Sequence, residues 1–148
     1  MEETTLVLIK PHAVHLTHLI LPMLLKPGLR MIGLKLEPRP TRHKVAEHYR
    51  EHQGCDYFEW LCDQLDGHPV IAIAISGEDA VARVREVVGP TKPEDNPPDT
   101  IRGRFSDDYF YISREEKRAV RNVVHASSSI EEAERELKIW FNSAELIE

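Results

Sequence analysis

The sequence lacks several features that usually reveal function. It holds two cysteines, Cys55 and Cys62, which match no CxxC or zinc-binding pattern and are too few for a disulfide framework. No apolar run approaches the roughly 20 residues that cross a membrane. The net charge is −6, whereas nucleic-acid binders are usually basic. We therefore expect a cytoplasmic protein with reduced thiols and with neither a nucleic-acid nor a membrane partner.

Glycine-rich phosphate loops are missing as well. The seven glycines never form GxxxxGK[ST] or GxGxxG, so side chains would have to bind any phosphate. Lys10 ends the first predicted strand, and five candidates surround a proline-rich loop: Arg85, Thr91, Lys92, Arg102 and Arg104. His125 ends the last predicted strand and is followed by small residues. A neutral imidazole is a good nucleophile near pH 7, and arginine matches phosphate oxygens in a bidentate manner.

The chain length of 148 residues suits one domain, which we expect to cover residues 1–148. Apolar patterns predict strands at residues 4–9, 30–36, 70–76 and 122–125, and helices at 16–25, 41–52, 57–65, 78–88 and 129–141. A kink or break is expected at Pro22, and Ser129 with Glu132 forms a capping-box pattern. Four prolines in residues 89–99 predict a long loop without regular structure. The order of elements predicts an α+β fold of the α/β type, a ferredoxin-like βαββαβ sandwich whose antiparallel four-stranded sheet is covered by helices.

Taken together, these segments resemble the nucleoside diphosphate kinase family along nearly the whole chain. The resemblance begins at TLVLIKP, continues through EHYREH, His68-Pro69-Val70 and GPTKPEDNPPDTIRG, and ends at NVVHASSS followed by EEAERELKIWF. Its most specific part is Asn-x-x-His-small-Ser followed by a helix that ends in Trp140-Phe141. The second most specific part is Thr91-x-Pro with Thr100-Ile-Arg-Gly103.

The resemblance implies a role for each matching residue. His125 would be the phosphorylated nucleophile, Glu136 the carboxylate that orients its imidazole, and Ser127 the serine that follows the nucleophile. Lys10 and Asn122 would bind the ribose hydroxyls, and Lys10 would also lie near the transferred phosphate. Arg85, Thr91 and Arg102 would bind the phosphates. Tyr57 would stack on the base, and Tyr49 would line the site beside Lys10. The resemblance also implies Mg²⁺ carried on the nucleotide phosphates, nucleoside di- and triphosphates as partners, and a homo-oligomer, a hexamer or a tetramer, built from a shared dimer.

The sequence departs from the family at three places. His12-Ala13 replaces the usual Asp-Gly, and Ala126 and Ser128 replace the Gly and Asp of His-Gly-Ser-Asp. The chain between Arg102 and Asn122 is about ten residues longer than in most members. We expect Ser113 and Glu116 to cap a short helix in this inserted segment.

Other polar residues have a structural interpretation beside a functional one. The spacings His12-His15-His18 and His48-His52 could place imidazoles on one helix face for a metal, but no carboxylate or thiol completes a set. We therefore predict surface histidines and no metal site. In the acidic run of residues 131–136 only Glu136 is expected to have a special role. Residues 109–111 (YFY) could stack on a base, although packing or subunit contact is favoured.

Two other functions remain open at this level. One is a nucleotide-binding regulatory or scaffolding module of the same fold without turnover, which the altered residues Ala126 and Ser128 would allow. The other is a ferredoxin-like metal or small-molecule sensor, which rests on fold and histidines alone.

Overall fold

A four-stranded antiparallel sheet forms the centre of the protein, as seen in a computed structural model that describes residues 2–147. Its strands are β1 (Glu2–Ile9), β2 (Leu29–Glu37), β3 (Val70–Glu78) and β4 (Val124–Ala126), in the spatial order β2-β3-β1-β4. The fold predicted from the sequence, an α+β sandwich with this kind of sheet, is confirmed.

Seven α-helices surround the sheet in the described part of the chain: α1 (Thr17–Leu24), α2 (Arg42–His48), α3 (Phe58–Leu65), α4 (Ala80–Val88), α5 (Ile101–Phe105), α6 (Phe110–Glu115) and α7 (Ile130–Trp140). Short 3₁₀ helices lie at Pro11–Leu16, Arg50–His52, Pro93–Asp95 and Ser143–Glu145. Within residues 2–147, no helix combines the length and the apolar character that crossing a membrane requires.

Both faces of the sheet are covered, so β1 is buried on both sides. Val7 and Ile9 pack into one core with helices α1 and α4, whereas Leu6 and Leu8 pack into a second core with α2, α3 and α7. Successive side chains of a strand point to opposite faces, and an unbroken apolar run such as TLVLI therefore suits a strand between two layers.

The inserted segment and the proline-rich loop differ from the sequence predictions. Thr100 caps helix α5, which was not predicted, by accepting a hydrogen bond from the backbone of Gly103. The predicted cap at Ser113 is wrong, because helix α6 begins at Phe110 and the Ser113 hydroxyl donates to the Phe110 carbonyl inside that helix. The loop of residues 89–99 is not free of regular structure either, since Pro93 opens a single 3₁₀ turn there.

Other differences concern where elements end. Helix α1 runs through Pro22 without a break. The helix predicted at residues 41–52 ends at His48 and is followed by a 3₁₀ turn. Ser129 caps α7 as predicted, but the carboxylate of Glu132 binds Arg135 instead of returning to the cap.

Candidate functional site

One cleft of about 500 Å³ lies at the end of the sheet where β1 and β4 meet. Eight residues singled out from the sequence line it: Lys10, Tyr49, Tyr57, Arg85, Thr91, Arg102, Asn122 and His125. The remaining two predicted residues do not line the cleft: Glu136 is hydrogen-bonded to His125, and Ser127 is hydrogen-bonded to Glu136. The structure therefore brings all ten predicted residues into one neighbourhood.

His125 is held through one ring nitrogen and free at the other. Its Nε2 lies 2.8 Å from Oε1 of Glu136, and Ser127 donates to the same oxygen at 2.7 Å. Because an ionised carboxylate only accepts, this bond places the imidazole proton on Nε2 and leaves a lone pair on Nδ1. Nδ1 makes no hydrogen bond within residues 2–147.

Burial keeps this imidazole neutral. Loss of solvent, together with the charges of Lys10, Arg102 and Arg85, holds the pKa of His125 well below its usual value. Burial also raises the pKa of Glu136, while His48, Ser127 and Arg135 act in the opposite direction. A neutral, oriented imidazole with a free nitrogen is suited to nucleophilic attack.

The backbone before His125 takes an unusual turn. The N–H of Val124 donates to the carbonyl of Asn122 at 2.9 Å, and Val123 between them has a φ of 76°. This is a three-residue γ-turn with positive φ, which costs on the order of 1–3 kcal/mol for a residue such as valine. It explains why β4 begins at Val124 and not at residue 122 as predicted. The turn points Asn122 and His125 into the same cleft.

A buried histidine packs directly against the candidate nucleophile. His48 is 1% exposed, and its ring lies edge-on to His125 with centroids 4.4 Å apart. Nδ1 of His48 accepts a hydrogen bond from Trp140 at 3.0 Å, and burial holds its pKa well below the usual value. The prediction that His48 is a surface residue is therefore wrong. Tyr49 also packs against His48, and its buried hydroxyl has no partner within residues 2–147.

Lys10 is buried and lines the same cleft as His125. Its Nζ donates to Oδ1 of Asn122 at 2.8 Å, and the Asn122 amide in turn donates to the Thr91 carbonyl at 2.9 Å. Burial and the neighbouring Arg102 lower the pKa of Lys10 to about 7. These hydrogen bonds join the residue after β1, the proline-rich loop and the γ-turn. They place in the cleft an ammonium group that loses its proton more readily than an ordinary lysine does.

The two cleft arginines are held differently. Arg102 donates to three backbone carbonyls, those of Asn122, Gly89 and Val124, at 2.8–3.1 Å. Burial, with the charge of Arg85, lowers its pKa to about 10. Arg85 makes one long bond of 3.4 Å to the Ala126 carbonyl. A guanidinium has five N–H donors, so both side chains keep donors for phosphate oxygens.

Aromatic side chains form part of the cleft lining. The Tyr57 hydroxyl is hydrogen-bonded to Nδ1 of His52 at 2.9 Å. Helix α6 of the inserted segment contributes Phe110 and Arg114 to the facing wall, and Arg114 reaches across to Asp56 at 3.0 Å and lies over the ring of Trp60. Tyr109 and Tyr111 are exposed instead.

Twelve further lining residues were not among the ten predicted site residues. They are Glu51, His52, Trp60, Leu61, Phe110, Ser113, Arg114, Arg118, Ala119, Val120, Ala126 and Ser128. His48, Glu136 and His125 also have donor atoms within 4.8 Å of one another, a geometry that a metal ion could share. Their mutual hydrogen bonds and ring contacts provide a sufficient explanation for this cluster. Arg104 is exposed and stacks on Phe105, so it does not line the cleft.

Comparison with known proteins supports the same interpretation. The family model for nucleoside diphosphate kinase matches residues 3–146. Proteins named nucleoside diphosphate kinase from Sulfurisphaera tokodaii and Pyrococcus furiosus are each 39% identical, with 98% and 99% of this chain and 92% and 87% of the relatives covered.

Solved structures agree with these relatives. The Borrelia burgdorferi nucleoside diphosphate kinase, a transition-state mimic with bound vanadate and ADP, superposes with a TM-score of 0.93 at 28% identity, covering 99% of this chain and 91% of that one. A nucleoside diphosphate kinase structure from Pyrobaculum aerophilum gives 0.91 at 30% identity with full coverage of both chains. The chain described here belongs to the nucleoside diphosphate kinase family.

Proposed function

We propose that this enzyme transfers the terminal phosphate of a nucleoside triphosphate to a nucleoside diphosphate through a phosphohistidine at His125. The observation that carries the proposal is the Glu136–His125 bond, which fixes the proton on Nε2 and leaves Nδ1 free in a cleft that Lys10, Arg85 and Arg102 also line. Nδ1 forms a bond to the γ-phosphorus while the bond from phosphorus to the β,γ-bridging oxygen breaks. The diphosphate leaves, and a second diphosphate takes the phosphoryl group back in the reverse step.

Phosphoryl transfer needs alignment and neutralisation of charge more than covalent assistance. Lys10 and the free donors of Arg85 and Arg102 surround the position of the transferred group. Lys10 and Asn122 are proposed to bind the ribose hydroxyls, and Thr91 the phosphates. Tyr49 lines the wall, and Tyr57 stacks on the base. Ser127 holds the carboxylate that orients His125.

Magnesium is proposed to arrive on the substrate. Among the described residues that line the cleft, Glu51 is the one carboxylate, and the phosphate end is cationic. Mg²⁺ prefers carboxylate ligands and substrate phosphates, so this cleft suits a magnesium nucleotide better than a resident ion. The bound Mg²⁺ would neutralise part of the phosphate charge.

Three further proposals concern the whole protein. We propose that residues 1–148 form a single domain of this family and that the protein is cytoplasmic, as its two free cysteines suggest. We also propose a homo-oligomer, a hexamer or a tetramer, built from dimers. Light scattering of the purified chain would test the oligomer.

The function is tested by labelling with γ-³²P-ATP. We expect label that is lost in acid, kept in base and transferred to added GDP. His125→Ala should take up none, whereas His18→Ala, which alters an exposed histidine, should label normally. Equal labelling of His125→Ala would overturn the assignment.

The alternatives are less well supported. A binding module without turnover would bind ADP but take up no label, and the relatives give it no support. A metal or small-molecule sensor would not explain why Lys10, Arg85 and Arg102 line the same cleft as His125.

A further inference from the structure

His12, where the family usually has aspartate, contacts the strained turn that carries the nucleophile. Nε2 of His12 accepts a hydrogen bond from the backbone N–H of Val123 at 3.2 Å. The carbonyl of the same Val123 accepts from the backbone N–H of Lys10 at 2.9 Å. Both polar groups of the turn residue are therefore held by the segment after β1.

The Val123 N–H makes no other hydrogen bond within residues 2–147. Val123 is 1% exposed, so its N–H would be buried without a partner if the imidazole were absent. Buried backbone donors are nearly always paired, and leaving one unpaired favours a different backbone conformation. Since Val123 has positive φ, an extended backbone is readily available to it. Relaxation in that direction would move both Asn122 and His125.

The bond requires a neutral imidazole with its proton on Nδ1. A protonated ring has no lone pair at Nε2 and could not accept. Burial, Lys10 and Arg121 lower the pKa of His12 to about 4, while Asp107 and Asp108 act in the opposite direction. An aspartate could also accept from Val123, but it would place a negative charge near Lys10. Histidine gives the same bond without that charge.

We propose that His12 is a positioning residue, whose neutral imidazole holds the Val123 turn and thereby aligns His125 and Asn122 for phosphoryl transfer. This inference rests on the proposed role of His125. It assigns a task to a position at which the chain departs from its family.

The first test measures the tautomer directly in the wild-type protein. In ¹⁵N-imidazole NMR near pH 7, the signal assigned by its loss in His12→Gln should show the Nδ1–H form. The Nε2–H form, or a protonated ring, would overturn the proposal. The tautomer is measured in the wild-type protein and does not depend on activity, and His12→Gln is used only to assign the signal.

The second test compares rates of His125 phosphorylation by rapid quench with Mg-ATP. His12→Phe keeps a ring but has no hydrogen-bond acceptor. We expect a phosphorylation rate about ten- to hundredfold lower, because a small misplacement of a reacting group slows a reaction by about this factor. His12→Gln and His12→Asp keep an acceptor and should recover most of the rate. His15→Ala, an exposed neighbour on the same 3₁₀ helix, is the matched control. ADP affinity should change less than the rate.

The outcomes separate the two proposals. A wild-type rate in His12→Phe, or equal loss in His12→Phe and in both acceptor variants, would overturn the role of His12. Absence of label on His125 in the wild type would instead overturn the proposed function, whatever the NMR shows.

Discussion

At the scale of single residues, the Glu136 carboxylate links the fold to the proposed chemistry. It is 1% exposed and accepts from His125 and Ser127 through one oxygen. A charged hydrogen bond of this kind contributes about 1.5–3 kcal/mol. Its negative charge also stabilises the positive charge that the ring gains as phosphorus binds Nδ1.

Glu136→Gln should therefore slow His125 phosphorylation by about ten- to hundredfold, the equivalent of 1.5–3 kcal/mol. The amide oxygen can still accept from Ser127, so urea unfolding should show a folded protein. Glu132→Gln, one turn earlier on α7, alters a carboxylate that binds Arg135 and should keep the normal rate. A normal rate in Glu136→Gln would show that the charge has no catalytic role.

Lys10 gives a prediction about pH. Its pKa in the free enzyme is about 7, so the ammonium is charged below that pH and largely neutral above it. A bound phosphate favours the charged form and raises the pKa. Binding of ADP at pH 8 should therefore take up protons, and this uptake should decline as the pH falls below 7.

Calorimetry in buffers of different ionisation enthalpy measures this proton uptake. Lys10→Met serves as the reference, because protons exchanged by ADP itself remain in that variant. At pH 8, the wild-type protein should take up more protons on binding ADP than Lys10→Met does. No difference would mean that Lys10 is already charged without nucleotide.

At the scale of elements, Arg102 joins the proline-rich loop to β4, whereas Arg85 does not. Arg102→Ala would leave the Gly89 and Val124 carbonyls without this donor and the Asn122 carbonyl with only the Val124 N–H, and we expect a loss of about 1–3 kcal/mol in the free energy of unfolding together with weaker ADP binding. Arg85→Ala should weaken binding with little change in unfolding. Arg104→Ala should change neither strongly. Urea titrations measure the stability of the three variants, and ADP titrations measure their affinity. The expectation would be contradicted if Arg85→Ala proved to be the least stable of the three.

The inserted segment makes a prediction about base selection. The proposed stacking on Tyr57 would accept any base, and losing a stacking contact costs on the order of 1–3 kcal/mol. We therefore expect kcat/KM for ADP, GDP, CDP and UDP to agree within about two orders of magnitude. A ten-thousandfold preference would require hydrogen bonds to one base edge. Ser113 and Arg114, which helix α6 places in the cleft, are then the residues to replace first.

The same elements show how far sequence reasoning reaches. Strand β1 was predictable because an apolar run buried on both faces has a strong signal. The ten site residues came from the family resemblance, and their meeting in one cleft follows from the order of the strands. Helix α5 has five residues, too few for an apolar period. The positive φ of Val123 contradicts the preference of valine, and only tertiary contacts impose it.

The prediction that His48 is a surface residue is wrong for a related reason. The spacing of His48 and His52 indicated one helical face, and polar side chains on such a face are usually exposed. The helix instead ends at His48, which turns this ring towards Trp140 and His125. Burial depends on which neighbours a fold supplies, and the local sequence does not contain that information.

At the scale of the whole molecule, magnesium and fold stability should be independent. If Mg²⁺ is carried by the nucleotide, EDTA should stop phosphorylation of His125 by ATP and leave the Tm of the nucleotide-free protein unchanged. Adding Mg-ADP should raise the Tm, because a ligand that binds the native state stabilises it. At a hundredfold excess of ligand over Kd, the free energy of unfolding rises by about 2.7 kcal/mol. A fall in Tm on adding EDTA alone would indicate a resident metal ion.

The arginines of the cleft also have a consequence for how the sheet can grow. Strand β4 is an edge strand of the sheet, and Arg102 donates to its Val124 carbonyl and Arg85 to its Ala126 carbonyl. An unprotected strand edge is a template on which another chain can add a strand. Here two side chains that are proposed to bind phosphate already occupy the edge carbonyls of β4, so we expect this border of the sheet to resist strand addition.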